Sequence, residues 1–543
     1  MIVAPLLTFL ILSIDTNAFT SSTTFAERRA CYVSTINVCT NTSKRKIRSK
    51  LHAQNNEVGS REVDVCIIGG GISGLAAAIT TAEKSIEERH KQPSILILES
   101  DSDVGGRVRS DYTSDGFILD RGFAVFIEQY PMSKKLLDYD SLGLQQFLPG
   151  ARVKLVGKEK LASVSDPLRR PRDILKVITS PVGSPRDKIR LLPLFYTVMT
   201  RSIGDLFEME ETDTLTCLKK KYNFSDDFIN EFFAPFLEGI YLTPLDKQSS
   251  RMLHFVMKMF TIGSTSLPRK GMQAVSSQLG ERAIHLGADI RCNTRALSLK
   301  QESSSDKFVV EVHSEEHGKH EVQANSIIVA TDGEASRNLL QSVTGLEQSL
   351  KQLPKVPQRS VGCIYYAFRS PAPLVDPILI LNGEGKEQQR NTKDFPINNC
   401  CFPSVVQRDY APEGYELCSV SILEQALSDH DGDHASLDTS VRKHLSTWFP
   451  DHAKDIMDEK KWVQKGIYII NNAQPAHFGT DGCASIHGGR ECSVFQGVVP
   501  LPKGIFVSGD YMATSTFNGA LESGVNAGET VARFLADSLV SSK

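Results

Sequence analysis

The chain has 543 residues, with 61 Lys and Arg against 64 Asp and Glu, for a formal net charge of −3. That length exceeds one small core and predicts two domains, and the charge balance beyond the first fifty residues leaves no basic face for nucleic acid. Eleven cysteines form no Cys-x-x-Cys pair and fall mostly in apolar runs, so they are expected as reduced core residues rather than a disulfide framework or a metal site.

The first segment reads as a targeting device. Ile2 to Ile14 is apolar, long enough for a signal-peptide core and short of the roughly 20 residues that span a bilayer. Thr16-Asn17-Ala18 before Phe19 offers a cleavage site. The following stretch is rich in Ser and Thr and carries Arg28, Arg29, Lys44, Arg45, Lys46, Arg48 and Lys50 against the single acid Glu27. Signal peptide 1–18 followed by transit peptide or linker 19–58 resembles the two-part leader of plastid proteins in algae with secondary plastids. Plastid location is the expectation, with secretion as the alternative.

The run Val63 to Ile68 reads as a buried strand. Gly69-Gly70-Gly71-Ile72-Ser73-Gly74 follows, and Leu75 to Ile79 opens a helix. A second apolar run, Ile95 to Leu98, ends on Glu99. Strand, glycine turn, helix, strand and terminal acid together make a dinucleotide site. Gly69 turns the chain, Gly71 admits a pyrophosphate to the backbone, and Gly74 lets helix and strand pack closely. Ser73 belongs to the same turn. The phosphates would sit at the positive end of the helix, and Glu99 would accept from the ribose hydroxyls. Glu99 comes thirty positions after Gly69, later than usual, so the charged stretch Ser85 to Pro93 is expected as a surface insertion between helix and strand. Gly105-Gly106-Arg107 adds backbone contacts and a cation for a phosphate oxygen, and it favours FAD over NAD.

Residues 131–280 look mainly helical, with proline between 166 and 193 breaking the chain into short helices and turns. Strand patterns return at 288–292, 308–312 and 326–331, then at 361–368, 377–381 and 415–423. Gly504 to Asp510 is a late strand with a Gly509-Asp510 tip, and Thr516 to Asp537 reads as a closing helix. Asp510 is placed for a ribityl hydroxyl. The amides around Thr516, Phe517 and Asn518 are placed for the flavin pyrimidine edge, where charge gathers on reduction.

These motifs, with Gly116-Phe117 to Asp120-Arg121-Gly122, Thr294-Arg295-Ala296, Ala330-Thr331 and Gly519-Ala520 to Ser523-Gly524, resemble the FAD-dependent superfamily of flavin amine oxidases, protoporphyrinogen oxidases and phytoene-desaturase-type enzymes. The stretch Phe232 to Tyr241 looks most like plant and cyanobacterial oxidoreductases of this group. The resemblance implies that Ala296 offers its backbone to the adenine and that Thr331 lies at the cofactor. It implies a discontinuous Rossmann-like FAD domain (61–125, 284–345, 496–540) with an α+β substrate domain (126–283, 346–495), an α/β protein overall. No Cys-Tyr pair stands where mitochondrial amine oxidases tether their flavin, so FAD is expected to be non-covalent. The oxygen-activating lysine of several amine oxidases is not placed on any residue of this sequence, the electron acceptor stays open, and the catalytic residues stay unassigned.

The implied reaction is hydride transfer from a C–H bond of a small apolar substrate to flavin N5. A plastid carotenoid or isoprenoid, desaturated or isomerised, is the first expectation. Amine oxidation, porphyrinogen oxidation and a non-catalytic FAD-binding assembly role are the alternatives. Met252 to Phe260 is apolar at helical spacing, fit for a tunnel lining or for plain core. Tyr365, Tyr366 and Phe368 alternate on a strand and stand either over the flavin or in a core sheet. His254 and His477 are proton carriers by residue type alone. Leu168 to Val177 and Lys188 to Leu192 mix bases with aliphatics, a pattern for peripheral membrane contact or for a solvated helix face.

Overall fold

The computed structural model describes residues 61–89, 92–165, 169–302, 307–346, 350, 357–385, 391–476 and 501–541. The targeting segment, His477, Cys31, Cys39, Cys483 and Cys492 lie outside the described residues. All that follows concerns the compact unit that begins at Gly59.

Two seven-stranded sheets organise this unit. In the first, the strands run in the order 289–291, 95–98, 61–68, 318–329, 308–314, 294–301. The 318–329 strand serves two partners: residues 318–324 pair antiparallel with 308–314, and residues 327–329 pair parallel with 505–507. Ile95–Leu98 and residues 65–68 opposite them are buried, as apolar runs in a sheet covered on both faces must be. One sheet thus draws its strands from three separated stretches of chain.

Helices Ile72–Arg89, Gln273–His285 and Phe517–Ser541 share an apolar core with one face of this sheet. The first and last approach unusually closely. A Cβ on Gly524 would lie 2.2 Å from the Ser73 carbonyl oxygen, and one on Gly528 would lie 2.7 Å from that of Ala77. The other face holds a second core built from Phe308, Val310, Val312, Leu340 and Tyr511.

Ser85 to Arg89 is not a surface insertion, because the helix runs on through it to Arg89. Its residues are good helix formers, and Lys84 pairs with Glu87 one turn along at 2.8 Å. The late arrival of Glu99 comes mostly from a long helix.

The second sheet runs 463–475, 358–369, 415–423, 397–401, 379–383, 150–155, 162–165. Its last two strands fall inside the stretch expected to be mainly helical. On the first of them Lys154 is buried, its ammonium reaching the carbonyls of Lys158 (2.8 Å) and Thr447 (2.6 Å). The helices between 174 and 262 form their own apolar cluster. Pro193 does not break a helix there; it lies inside Pro185–Thr200, whose start is fixed by a Ser184–Asp187 capping box.

Met252 to Phe260 is largely buried in that cluster, with Met252, Leu253, Phe255, Val256, Met257 and Met259 all in the core. Tyr365, Tyr366 and Phe368 are core residues on opposite faces of their strand, Tyr365 with one cluster and the other two with another. The seven described cysteines are free thiols, six of them buried.

Candidate cofactor site

The glycine turn has an internal logic. Gly69 has φ +110°, and a Cβ there would sit 2.7 Å from the Ala330 carbonyl oxygen. Only glycine passes between the 61–68 strand and Thr331 in that conformation. A Cβ on Gly74 would lie 2.0 Å from the Gly69 carbonyl oxygen, so the helix closes directly onto its own entry strand. Gly71 differs. Nothing lies within 4 Å of a Cβ built there, and its φ is not left-handed. No packing within the described chain requires glycine at 71. The open space beside it is a cradle that a side chain would fill.

The second glycine pair borders the same space. Gly71 and Gly105 form a parallel bridge, and the Gly105 amide donates to the Gly70 carbonyl at 2.9 Å. Gly106 has φ +58°, and its would-be Cβ lies 3.5 Å from the Gly71 Cα. Glu99 is buried at the end of its strand. Its Oε2 accepts from the Gly70 amide at 2.8 Å and its Oε1 from the Asp101 amide at 2.8 Å. Oε1 also accepts from the Ser100 hydroxyl at 3.3 Å, so the acceptor lone pair that remains for a ribose hydroxyl is on Oε2. The Glu99 carbonyl accepts from the Thr294 amide at 2.8 Å, which brings Ala296, two residues on, to the same end. Thr331 lies beside Gly69, its hydroxyl 2.8 Å from that of Ser336.

The third anchor is tied to the first by hydroxyls. Ser73 Oγ and Ser508 Oγ are hydrogen-bonded, Ser523 Oγ lies 3.4 Å from Ser508 Oγ, and the Gly509 amide donates to Ser523 Oγ at 3.0 Å. Beyond it, Arg107 and Asp510 engage each other. Nη1 to Oδ2 is 2.9 Å and Nη2 to Oδ1 is 3.0 Å, a two-pronged pair. Nη1 also donates to the Ala473 carbonyl at 2.7 Å. Burial works against the Arg107 charge, but the Asp510 carboxylate more than offsets it and holds the guanidinium protonated. Arg107 and Asp510, expected to meet a phosphate and a ribityl hydroxyl respectively, are thus also paired with each other. Their charges cancel locally, and Asp510 Oδ1 also accepts from the Tyr511 amide at 3.1 Å.

Thr516, Phe517 and Asn518 stand apart from the Gly69–Gly74 turn. Phe517 is seven positions before Gly524, which touches Ser73, so it lies roughly 10 Å along the helix axis. Thr516 Oγ1 accepts from the Gly519 amide at 3.0 Å, and Asn518 Oδ1 accepts from the Met132 amide at 3.0 Å. The Phe517 ring meets Phe126 edge-on at 5.8 Å and packs against both the nucleotide-side core and the helical cluster. It marks the junction between them. The expected residues thus form a glycine-lined end and a distant aromatic end, which suits an extended dinucleotide. A helix start without an acid in its first turn, the open face of Gly71 and a buried diol acceptor all fit FAD.

Strand 463–475 contributes Ala473, and Ile470 lies 3.1 Å from a would-be Cβ on Gly122. That strand was missed, although Ile467-Tyr468-Ile469-Ile470 carried an apolar signal. Asp120 is buried, and its carbonyl accepts from the Tyr365 hydroxyl at 3.0 Å. It accepts from Ser110 (2.5 Å), the Met272 amide (2.8 Å) and Tyr410 (2.8 Å). Burial raises its carboxyl above the usual range against those bonds. His254 is no proton carrier at neutral pH: burial pulls it down to about 4, and its Nε2 lies 2.7 Å from the Tyr222 hydroxyl.

The family of flavin containing amine oxidoreductases matches residues 72–532. The chain belongs to that family. Its cofactor is FAD, and it is an oxidoreductase. A coproporphyrinogen III oxidase of Bacillus subtilis is 29% identical over 195 residues, 34% of this chain and 38% of that protein. Polyamine oxidase 2 of Arabidopsis thaliana is 33% identical over 82 residues, 15% of each chain. The chain therefore spans well under half the length of these relatives. Among solved structures, cyclohexylamine oxidase from Brevibacterium oxydans has a TM-score of 0.59 at 15% identity, covering 88% of this chain and 99% of its own. An oxidoreductase from Methanosarcina mazei has a TM-score of 0.61 at 14% identity, covering 86% of this chain and all of its own. At such identities the likeness is one of fold.

Proposed function

We propose that this oxidoreductase takes two electrons from a C–H bond of a small apolar substrate, with a plastid carotenoid or isoprenoid as the first candidate. The observation that carries this reading is the aromatic surface of the helical cluster. Phe232 stacks on Phe236 at 5.7 Å, Phe236 meets Phe260 edge-on at 5.0 Å, and these residues with Ile240 and Phe517 stay half-buried against one core. Residues 229–233 form a π-turn, a local widening that shifts the register of the helix just where this aromatic row begins. Such a surface binds through apolar area. Glu238, on the same helix, has its carboxyl pushed up to about 7 by burial, and its Oε1 accepts from the Leu245 amide at 3.3 Å.

FAD, when bound, supplies the electron acceptor, taking up hydride at N5. The chain's residues hold and orient it. Glu99 would take the ribose diol, the amides at Gly71 to Gly74 and Gly105-Gly106 the pyrophosphate, and the helix start at Phe517 the flavin end, non-covalently. The apolar residues exclude water and place the C–H bond. The leader at 1–58 supports plastid import, which a fusion of those residues to a fluorescent protein would test.

A second reading, porphyrinogen oxidation, is favoured by the coproporphyrinogen III oxidase relatives. The deciding experiment mixes the FAD-loaded protein anaerobically with colourless carotenes, a porphyrinogen or a panel of amines. Flavin bleaching by the carotenes, with coloured polyene products, is the expected result. Bleaching by the porphyrinogen alone, with porphyrin fluorescence, would establish the second reading. Bleaching by amines alone would reject both.

A further inference from the structure

Six of the fifteen large apolar side chains exposed among the described residues fall between positions 175 and 199. They lie on two adjacent helices, Ile174–Thr179 and Pro185–Thr200. The Lys188 ammonium joins these helices by donating to the carbonyls of Ile178 (3.0 Å) and Ser180 (2.6 Å), at the end of the first. On the second helix, Ile189 is 56% exposed, Leu192 43%, Tyr196 64% and Met199 51%. Their spacing of three, four and three residues places them on one face. The opposite face buries Leu194 and Val198 in the helical cluster. A surface helix of a soluble protein normally turns polar residues outward. Here the outward stripe is apolar, and Leu175 (71%) and Ile178 (51%) extend it onto the first helix.

The border of the stripe is basic. Between Arg169 and Arg201 the sequence holds eight Lys and Arg and only two acids, Asp173 and Asp187. Both acids are buried and paired, Asp173 with Arg170 at 2.6 Å and Asp187 with Arg190 at 3.7 Å. Arg172, Arg186 and Arg201 stay exposed at the rim. We propose that this two-helix face docks in the plane of an anionic lipid bilayer, its aliphatic stripe in the acyl boundary and its arginines on the headgroups. A second copy of the chain is the less suited occupant, since two-fold contact would set rim arginines against rim arginines with no exposed acid between positions 169 and 201 to answer them. No helix among the described residues is long and apolar enough to cross a membrane, so the contact lies in the surface. The docking face belongs to the same helical cluster as the aromatic row, but it stands without any assumption about the substrate.

The test uses the FAD-loaded chain from Gly59 onward, the compact unit that carries both helices. Flotation is measured with vesicles of phosphatidylcholine alone and with added phosphatidylglycerol. Binding is expected only with phosphatidylglycerol and should weaken with salt. The double variant R172E/R186E is expected to lower the partition coefficient by about fivefold or more per base. The triple variant I189S/L192S/Y196S should lower it by about a hundredfold. All changes are at exposed positions, so flavin content and melting temperature should hold and report intact folding. Failure of the parent protein to float with phosphatidylglycerol, or equal binding by both variants, would overturn the proposal. So would a dimer in light scattering that the triple variant converts to monomer, which would assign the stripe to a second copy.

Discussion

The open face of Gly71 gives the sharpest test of the cofactor site, through Gly71→Ala. A methyl group there meets no protein atom within 4 Å, and the backbone needs no left-handed φ. The Gly71 carbonyl accepts from the Leu75 amide at 3.0 Å, so it sits where the helix is capped. Alanine is a poorer cap than glycine by roughly 0.5–1 kcal/mol. It restricts the unfolded chain by about 0.4–1 kcal/mol in the opposite sense. The two nearly cancel, and the flavin-free protein should keep its stability within about 0.5 kcal/mol. FAD, in contrast, must share the cradle with the methyl. Displacing a close contact costs roughly 1.4–2.8 kcal/mol, a ten- to hundredfold rise in Kd. Flavin fluorescence titration of the stripped protein reads the affinity, and urea unfolding without flavin reads the stability. Gly74→Ala is the counterpart: its Cβ would collide with the Gly69 carbonyl oxygen at 2.0 Å, so it should lose stability with and without flavin. The reasoning fails if Gly71→Ala binds FAD like the parent, or if it destabilises the flavin-free fold as Gly74→Ala does.

Glu238→Gln tests the buried carboxyl. Its pKa rises from 4.5 to about 7 on folding, so the stability it contributes is complete below about pH 4.5 and is lost as pH climbs through 7. The loss is at most about 3 kcal/mol, and urea midpoints of parent and variant should agree in acid and separate above neutrality, with the variant the more stable. Identical midpoints at every pH would mean the side chain is hydrated. Arg107→Gln leaves the Asp510 carboxylate without its two-pronged partner, and the flavin-free protein should lose about 1–3 kcal/mol in urea; an unchanged midpoint would show the pair to be idle. Asp120→Ala strands the Ser110 and Tyr410 hydroxyls and the Met272 amide, and a loss of about 3 kcal/mol or more is expected in the same assay, with Asp120→Asn intermediate.

The glycine turn, the strand-end acid and the second glycine pair were legible because each answers a local demand. Gly69 has a left-handed φ in its own turn, Gly74 meets that turn, and Glu99 ends a strand; the pattern is visible locally even though the carbonyl facing Gly69 is that of distant Ala330. The closing helix was legible as a helix, but its close approach to Ser73 and Ala77 through Gly524 and Gly528 was not, since that partner lies over four hundred positions away. Strands 150–155 and 162–165 were not legible either. Ala151-Arg152-Val153-Lys154-Leu155 does alternate, but the run is short and the strand partners that make it a sheet, such as Leu379–Gly383, are distant in sequence.

Arg107 and Asp510 carry that argument to the site itself. Each has the chemistry of a cofactor ligand, and each was read as one. They are 403 positions apart, and only the folded chain shows that they satisfy each other first. A residue type states what a group is able to bind; it does not state what already binds it. The same limit applies at the aromatic end. Phe232, Phe236, Phe260 and Phe517 are ordinary core residues in sequence, and their meaning lies in being left half-buried together at the edge of one cluster. A cofactor's phosphates are met by a few backbone amides in one turn and leave a pattern in the sequence. A substrate of the apolar kind proposed above would be met by area assembled from many helices and would leave none, so its identity has to come from the flavin-bleaching assay, not from a motif.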